Sequence, residues 1–322
     1  MKYSESCAQP FYGVEPSSPA TSVGCPGGHA EMHRFRFLTA LEQALVFGLM
    51  EEVRTTPKPG LVDLADNGAH RDMCYDTFVR STRAIAPYLT AIGAMGYDFD
   101  GEPEALFHLL RGLGAQAEKS MFAATGGVNT HKGAIFSLGL LASGVGYLYR
   151  RKPFFSANEV FELCSRAAAP ALSQDFEEMR RRPPVTHGEK LFARYGSRGI
   201  RGEALDGFPG LRCVALPALA QAAGSQPGSN AARLFVLLTL MASVEDTNIL
   251  NRAGPEALAR MQADAQRFLR DFPIINDRAL ETLGQMNRSF IERNLSPGGC
   301  ADLLAAALFF DRLEAAGILR LV

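Results

Sequence analysis

The chain has 322 residues and 47% hydrophobic content, enough to bury the core of one large domain or of two. Its net charge of -1 argues against a general nucleic-acid binder, which would carry a strongly basic surface. Six cysteines without C-x-x-C spacing fit reduced thiols better than disulfides or a zinc site. With no apolar run of membrane-spanning length and no signal-peptide core, we expect a cytoplasmic protein with no membrane contact. A homodimer is left open.

The first segment, residues 1–36, is rich in Ser, Pro and Gly and has no helical or strand periodicity. We expect it to be a mobile N-terminal extension, with the folded domain spanning residues 37–322. Beyond it, four leucines share one helical stripe and predict a helix, which Pro57 and Pro59 end. These leucines are Leu38, Leu41, Leu45 and Leu49.

Signals for further helices continue to the end of the chain. Ser156 and Glu159 have the spacing of a capping box, and Gly254-Pro255-Glu256 is typical of a helix start. Ser229 or Asn230 can cap the apolar run 234–244, and Ser296-Pro297 precedes a last helix over 300–315. Period-two alternation and Asn-Gly hairpin signals are missing. The sequence therefore predicts an all-α fold: one multi-helix globular domain.

The segment Gly126–Gly133 runs directly into an apolar helix and indicates an anion site. A helix N-terminus leaves about four N–H groups unpaired and carries partial positive charge, which suits a phosphate beside a lysine. We assign Gly127, Asn129, Thr130 and Lys132 to phosphate binding. The alternative is a helix capped by Asn129 or Thr130, with His131 and Lys132 in solvent.

A proline-stiffened loop, Pro57–Asp63, presents Lys58 and is followed by His70, Arg71 and Asp72. A rigid loop loses little entropy when it binds an anion, so this region is a second candidate. The alternative is a turn followed by a helix cap by Asp72.

The segment Arg198–Phe208 mixes arginines and carboxylates around three glycines. Arg201 can bind phosphate through its planar fork, and Glu203 beside it is a candidate base. A structural loop of self-paired charges is the alternative.

Polar residues Glu245–Asn248, with Arg252 one turn later, end a strongly apolar helix. Buried carboxylates are costly unless they are paired or bind a cation, so Asp246 and Asn248 are candidate Mg²⁺ ligands. We expect no N-cap at this end of a helix, which leaves a solvent-exposed frayed end as the alternative.

The segment Asn294–Asp302 is another glycine-flanked helix start, with Ser296, Gly298 and Gly299 before Asp302. Asp302 can complement the helix dipole, or it can bind a metal or a ribose hydroxyl.

These segments together resemble the triphosphoribosyl-dephospho-CoA synthase family. The matches follow the family's order and span most of the chain after residue 37. They are Lys58–Val62 with Gly68–Met73, Gly127–Gly133, Arg201–Ala204, Asp246–Asn248, and Asn294–Gly299 with Ala301–Leu304. The extension before residue 37 has no counterpart, and Cys300 occupies a position where we expect a small residue of no fixed identity.

The resemblance implies that ATP and 3′-dephospho-CoA give 2′-(5″-triphosphoribosyl)-3′-dephospho-CoA and free adenine. This product is the prosthetic-group precursor of citrate lyase or malonate decarboxylase, and we favour citrate lyase. A β-nucleoside donor and an α-linked product imply one inverting displacement, by analogy with inverting glycosidases.

The resemblance gives positions, and residue chemistry suggests roles. Lys58, Arg71, Lys132 and Arg201 are expected to bind phosphates, while Asp72, Asp246 and Asp302 are expected to bind Mg²⁺ or ribose oxygens. The base is expected to be Glu203, with Asp246 second, and His131 or His70 would protonate or hydrogen-bond adenine. Further expected substrate contacts are Gly127, Asn129, Thr130, Asn248, Arg252, Ser296, Gly298 and Gly299.

Two other classes of function remain open at this point. A helical Mg²⁺-dependent hydrolase of nucleotides or ADP-ribose needs similar residues but uses water as the nucleophile. A noncatalytic nucleotide- or CoA-binding protein needs the cations but not the carboxylates.

Overall fold

The computed structural model describes residues 26–224 and 228–321, which form twelve α-helices and a short π-helical segment. In these residues the single extended pairing is one parallel bridge between Ser156 and Arg320, so the all-α prediction is confirmed. The α-helices are α1 (Pro26–Arg54), α2 (Tyr75–Asp98), α3 (Pro103–Thr125), α4 (Lys132–Arg151), α5 (Ala157–Arg181), α6 (His187–Tyr195), α7 (Gly199–Leu205), α8 (Leu216–Ala223), α9 (Asn230–Ser243), α10 (Thr247–Asp271), α11 (Asp277–Glu292) and α12 (Gly298–Ala315). The π-helical segment is Gly210–Ala215, directly before α8.

Helix α1 begins well before the expected domain boundary at residue 37. Residues 26–36 are helical, and two of their side chains contact the end of α2. His33 Nδ1 lies 3.0 Å from the Tyr97 hydroxyl, and Arg34 Nε donates to Asp98 at 2.9 Å. This part of the predicted extension is therefore attached to the fold, and residues 1–25 lie outside the described residues. The helix ends at Arg54, just before Pro57, as the two prolines predict.

Most predicted helix starts agree with the structure. Ser156 and Glu159 form the capping box of α5, and Ser229 accepts the Ala232 N–H at 3.1 Å at the start of α9. The start predicted at Gly254-Pro255 is also present, since Gly254 (φ 77°) is non-helical and a kink there divides α10 into two helices. The short helical segment before Gly254 was not predicted.

Helix α12 lies at the centre of the fold, where it contacts α1, α4, α9 and α10. Its residues 303–310 are all buried, so the helix is apolar on every side, as expected for a helix surrounded by others. This burial fixes the N-terminal end of α12 deep in the molecule, where Asp302 lies in its first turns.

Helices α2 and α4 pack unusually closely because glycines face each other where they cross. A Cβ atom placed on Gly96 would lie 2.0 Å from the Ser143 carbonyl oxygen, and one on Gly146 would lie 2.2 Å from the Gly93 carbonyl oxygen. Any larger residue there must push the two backbones apart.

No single helix of the described residues is long and apolar enough to cross a membrane. Only α9 and α10 taken together, a pair bent by 54°, reach the length and apolar composition of a membrane span among the described residues. In α9 the apolar side chains that give this result are buried against other helices.

We expect Gly96→Ala to destabilise the fold by about 1–3 kcal/mol, because it overpacks the α2–α4 contact. The matched control is Gly112→Ala in α3, where a new Cβ meets nothing within 4 Å. That change should be neutral or stabilise by up to about 1 kcal/mol, since alanine is the better helix former. Thermal denaturation of both variants tests this; equal melting temperatures would contradict the close α2–α4 packing.

Candidate functional site

A large cavity lies where the N-terminal ends of several helices meet. Its volume is about 740 Å³, within the range of small-molecule sites. The first residues of α4, α6, α10 and α12 all line it. Because each such end carries unpaired N–H groups and partial positive charge, the cavity favours anions.

Cationic side chains add to this positive potential. Those that line the cavity are Lys58, Lys132, Lys190, Arg198, Arg201 and Arg252. Lys132 Nζ lies 2.9 Å from Glu118, and Arg201 lies 3.9 Å from Asp175, both in partly exposed pairs. Exposed pairs of this kind contribute little stability, so a phosphate can take the place of the carboxylate.

Lys58 differs from these cations because it is already paired inside the protein. Its side chain is 1% exposed, and its ammonium donates to the Glu52 carbonyl at 2.9 Å and to the Glu52 carboxylate. The Lys58 backbone N–H donates to Asp63 at 2.8 Å. Lys58 therefore positions the cavity wall, and its charge is largely balanced by Glu52.

Glu203 lines the cavity from α7 and is the predicted base. Burial raises its pKa, while hydrogen bonds from the Gly210 and Leu211 backbone N–H groups oppose this shift. These bonds hold the carboxylate in place at the start of the π-helical segment. A positioned carboxylate with a raised pKa is a better proton acceptor than a solvated one.

Asp302 lines the cavity from α12 and contacts the start of α4. Its pKa is raised well above the usual value by burial and then by the charges of Glu52 and Asp246, although it accepts the Ala134 N–H. Gly133 allows this approach, since a Cβ there would lie 2.1 Å from the Asp302 carboxylate. A cation beside Asp302 and Glu52 would relieve this repulsion.

The donors present fit a metal ion that arrives with its substrate. Within the described part of the chain, no three His, Cys, Asp or Glu residues are grouped closely enough to form a metal cage. Mg²⁺ in nucleotide sites typically takes one or two protein carboxylates and completes its shell with phosphates and water. Asp302 would supply one such carboxylate, whereas Glu52 is already paired with Lys58.

Asp246 has a structural role that our sequence reasoning excluded. It is fully buried and caps α10, where Oδ1 accepts the Asn248 and Ile249 N–H groups at 2.9 and 3.1 Å. Oδ2 accepts the Cys300 N–H at 2.9 Å, in the first turn of α12. The expectation that no N-cap could lie here was wrong because α10 begins where α9 ends. Asp246 is also absent from the described residues that line the cavity.

The glycines that begin α12 make room for this arrangement. A Cβ on Gly298 would lie 2.7 Å from the Asn248 amide, and one on Gly299 would lie 3.1 Å from Asp246. Both glycines and Asn248 line the cavity. The glycines therefore let two helix starts approach each other, in addition to any contact with substrate.

His70 joins the loop before α2 to the start of α12. Arg252 donates to His70 Nδ1 at 3.3 Å, so Nε2 must carry the proton and donate to the Ser296 hydroxyl at 2.8 Å. Burial and then Arg252 lower the pKa of His70, which keeps the ring neutral. Arg252 also donates to the Asn294 side chain at 3.0 Å. His70, Arg252 and Ser296 line the cavity as one hydrogen-bonded group.

His131 lines the cavity beside α4 and is 3% exposed. Burial and then the Lys58 charge lower its pKa to about 3, so the ring is neutral at pH 7. Nδ1 lies 2.7 Å from the Ser81 hydroxyl, and Nε2 is buried without a partner in the described structure. The expectation that a histidine here titrates near neutral pH is wrong for His131, whose neutral ring can hydrogen-bond a substrate but not protonate it. The pKa of His70 is also lowered, and both of its ring nitrogens already have protein partners.

The remaining predicted site residues divide into two groups. Asn129 and Thr130 line the cavity; Asn129 accepts the Lys132 N–H at 3.2 Å, as the capping alternative proposed. Gly127, Arg71 and Asp72 are not among the described residues that line it, and all three are exposed. Asp72 lies 3.8 Å from His70, at the outer side of that group.

Sequence reasoning missed Glu52 and Ser81. Glu52 follows another glutamate in a helix and looks like a solvated charge, although it is 4% exposed. Ser81 lies mid-helix in α2 with no motif around it. Only the helical stripe of buried positions could have indicated that these polar residues face the interior.

The fold is all-helical, and its cavity combines helix N-termini and cationic side chains with carboxylates. Such a cavity is suited to a reaction of a polyphosphate nucleotide. The sequence model of the ATP:dephospho-CoA triphosphoribosyl transferase family matches residues 38–320, and the chain belongs to this family.

Relatives described as probable 2-(5″-triphosphoribosyl)-3′-dephosphocoenzyme-A synthases support the assignment. A Vibrio cholerae protein is 41% identical over 259 residues, which is 80% of this chain and 83% of that protein. A Malonomonas rubra protein is 38% identical over 263 residues (81% and 83%), and a Streptococcus pyogenes protein is 39% identical over 288 residues (86% and 97%). No solved structure matches the chain. These comparisons support a transferase and do not support the hydrolase alternative.

We expect Asp246→Ala to lower stability by about 1–4 kcal/mol, because it removes the caps of two helices at about 0.5–2 kcal/mol each. Asp246→Asn should lose less, since its amide oxygen can still accept the α10 N–H groups. Denaturant unfolding compares the two variants with the wild type. Wild-type stability of Asp246→Ala with lost turnover would instead make Asp246 a catalytic group.

We expect Asp302→Asn to raise the melting temperature at pH 8 in metal-free buffer by about 2 °C or more. The folded protein keeps the Asp302 proton at pH values where the unfolded chain has lost it. Stability therefore falls as pH rises from the unfolded pKa through the raised folded pKa. Asparagine removes this dependence, and the exposed Asp271→Asn is the control. An unchanged pH profile of stability would show that Asp302 is not destabilised by its charge.

Proposed function

We propose that the cavity transfers the triphosphoribosyl group of ATP to the 2′-hydroxyl of 3′-dephospho-CoA and releases adenine. The observation that carries this proposal is the half-buried carboxylate of Glu203, whose pKa is raised, in a cavity built from helix N-termini. Such a site can bind a polyphosphate and can accept a proton from an alcohol.

The transfer breaks one bond and forms one bond at the anomeric carbon of ATP. The electron pair of the C1′–N9 bond leaves with adenine, and the dephospho-CoA 2′-oxygen bonds to C1′. Glu203 takes the hydroxyl proton, and adenine takes up a proton from water after departure. The β-nucleoside donor and the α-linked product require one inverting displacement. The triphosphate is not cleaved, so the site must hold it without activating it.

The triphosphate is placed best at the N-terminal ends of α4 and α12, near Lys132 and Arg201. These ends offer backbone N–H groups and positive dipole charge to phosphate oxygens. Mg²⁺ bound with the nucleotide would supply charge neutralisation, and Asp302 would hold it from the protein side. Five phenylalanines that line the cavity offer surfaces for the adenine rings and the pantetheine arm: Phe78, Phe122, Phe136, Phe176 and Phe192.

The product is proposed to be the precursor of the acyl-carrier prosthetic group of citrate lyase, with malonate decarboxylase as the second candidate. Both substrates are cytoplasmic metabolites, which supports a cytoplasmic enzyme. Genes that neighbour this one, encoding subunits of one lyase or of the other, would decide between the two pathways.

The reaction itself is tested with purified protein, ATP, Mg²⁺ and dephospho-CoA, followed by chromatography and mass spectrometry. Adenine and the triphosphoribosyl adduct should form in equal amounts. Adenine or phosphate release without dephospho-CoA would instead show a hydrolase. Binding of both nucleotides without turnover would show a noncatalytic binding protein.

We expect Glu203→Gln to lower kcat by about 10²- to 10⁴-fold with little change in KM for either substrate. Glutamine keeps an oxygen for the Gly210 N–H but cannot accept the hydroxyl proton. The control is Glu162→Gln, an exposed change in α5. If Glu203→Gln keeps full turnover, another carboxylate is the base.

A further inference from the structure

A chain of hydrogen bonds behind His131 involves a residue to which we have assigned no function. Thr130 Oγ1 donates to Ser81 Oγ at 2.7 Å, and Ser81 Oγ lies 2.7 Å from His131 Nδ1. Ser81 lies on α2 and is fully buried, whereas Thr130 and His131 precede α4. The three groups therefore connect two separate helices behind the cavity wall.

The direction of these bonds fixes the tautomer of His131. Ser81 accepts a hydrogen bond from Thr130, and the acceptor in reach of its own hydroxyl proton is His131 Nδ1. A buried hydroxyl proton without an acceptor would be costly. With Nδ1 accepting, the proton of the neutral ring must lie on Nε2.

The environment of Nε2 indicates that this N–H is kept for a ligand. It is the one ring nitrogen of His131 without a partner in the described structure, although it is buried. The edge of the ring packs at 87° to Phe78, with centroids 5.0 Å apart, and both residues line the cavity. A donor closed to water is electrostatically strong when an acceptor arrives, because no solvent must be displaced from it.

We propose that Ser81 is a positioning residue that, with Thr130, holds His131 as a fixed N–H donor to a ring nitrogen of the departing adenine. This proposal rests on the proposed function. As the C1′–N9 bond breaks, its electron pair increases the negative charge on the adenine ring. The Nε2–H group stabilises this charge by a hydrogen bond and keeps its proton. Adenine then takes up its proton from water.

The tautomer is tested first, by ¹⁵N NMR of the histidine rings, with His131→Gln to assign the His131 signals. In the wild type, Nε2 should be protonated and Nδ1 unprotonated, while Ser81→Ala should show a mixture of tautomers. A proton on Nδ1 in the wild type would overturn the proposal. This measurement does not depend on turnover, so it also stands if the proposed reaction is not observed.

The kinetic role is tested with Ser81→Ala and Thr130→Val. Ser81→Ala should lower kcat by about tenfold or more, with KM for ATP changed less, because a lost outer partner typically costs about 10- to 100-fold. Thr130→Val should also lower kcat. It provides the test if Ser81→Ala fails to fold. The matched control is Ser143→Ala, a buried helical serine whose hydroxyl bonds only to its own helix at 2.7 Å. Wild-type kcat in both test variants would overturn the proposal.

The contact with adenine is tested with the donors 7-deaza-ATP and 3-deaza-ATP. Each analogue lacks one acceptor nitrogen of the ring. The ratio of the wild-type rate to the Ser81→Ala rate is measured with each donor. This ratio should fall towards one with the analogue that lacks the contacted nitrogen. An equal slowing with ATP and both analogues would show that Nε2–H does not contact adenine. If the wild type forms no adduct with ATP, the proposed function fails independently of the tautomer.

Discussion

The cavity depends on two carboxylates that connect helix starts, Asp246, which is fully buried, and Asp302, which is half-buried. Asp246 accepts N–H groups from α10 and from α12, and Asp302, on α12, accepts one from α4. Helix N-termini repel each other through their partial positive charges, and a carboxylate between them offsets this repulsion. The same carboxylates that make this arrangement stable leave further N–H groups of each helix free for a ligand. A Cβ on Gly133 would clash with the Asp302 carboxylate at 2.1 Å, and one on Gly299 would be in tight contact with Asp246 at 3.1 Å.

Burial gives the cavity its chemistry as well as its shape. Burial raises the pKa of Glu203, which makes its carboxylate a stronger base. Burial also lowers the pKa of His70 and His131, which favours the neutral form of both rings. The site therefore combines a carboxylate with a raised pKa and one neutral imidazole nitrogen without a protein partner, the Nε2 atom of His131, among the described residues. A neutral N–H donor can stabilise a leaving group by a hydrogen bond. It does so without adding a positive charge that the negatively charged polyphosphate would attract.

The sequence predicted the helices, because capping boxes, prolines and apolar stripes are local signals, and most of the residues proposed for the site line the cavity. It failed where a residue's role depends on the next element along the chain. Asp246 was placed at the end of α9 and interpreted as a metal ligand, since the short first half of α10 was hidden by Gly254. Lys58 was assigned to phosphate, but its partner Glu52 lies on α1 and had no sequence signal. Arg71 and Asp72 share the motif of His70 yet face solvent, because a loop turns successive side chains in different directions.

Motif membership therefore does not distinguish substrate contacts from the framework that holds them. Asp246, Gly298, Gly299 and His70 belong to the matched segments, and all make contacts that a folded chain needs without any substrate. The groups without such internal partners are fewer, and the Nε2 atom of His131 is the clearest of them among the described residues. A buried polar atom without a partner costs stability unless something binds it. This cost is a physical reason to expect that His131, rather than the capping carboxylates, contacts the reacting nucleotide.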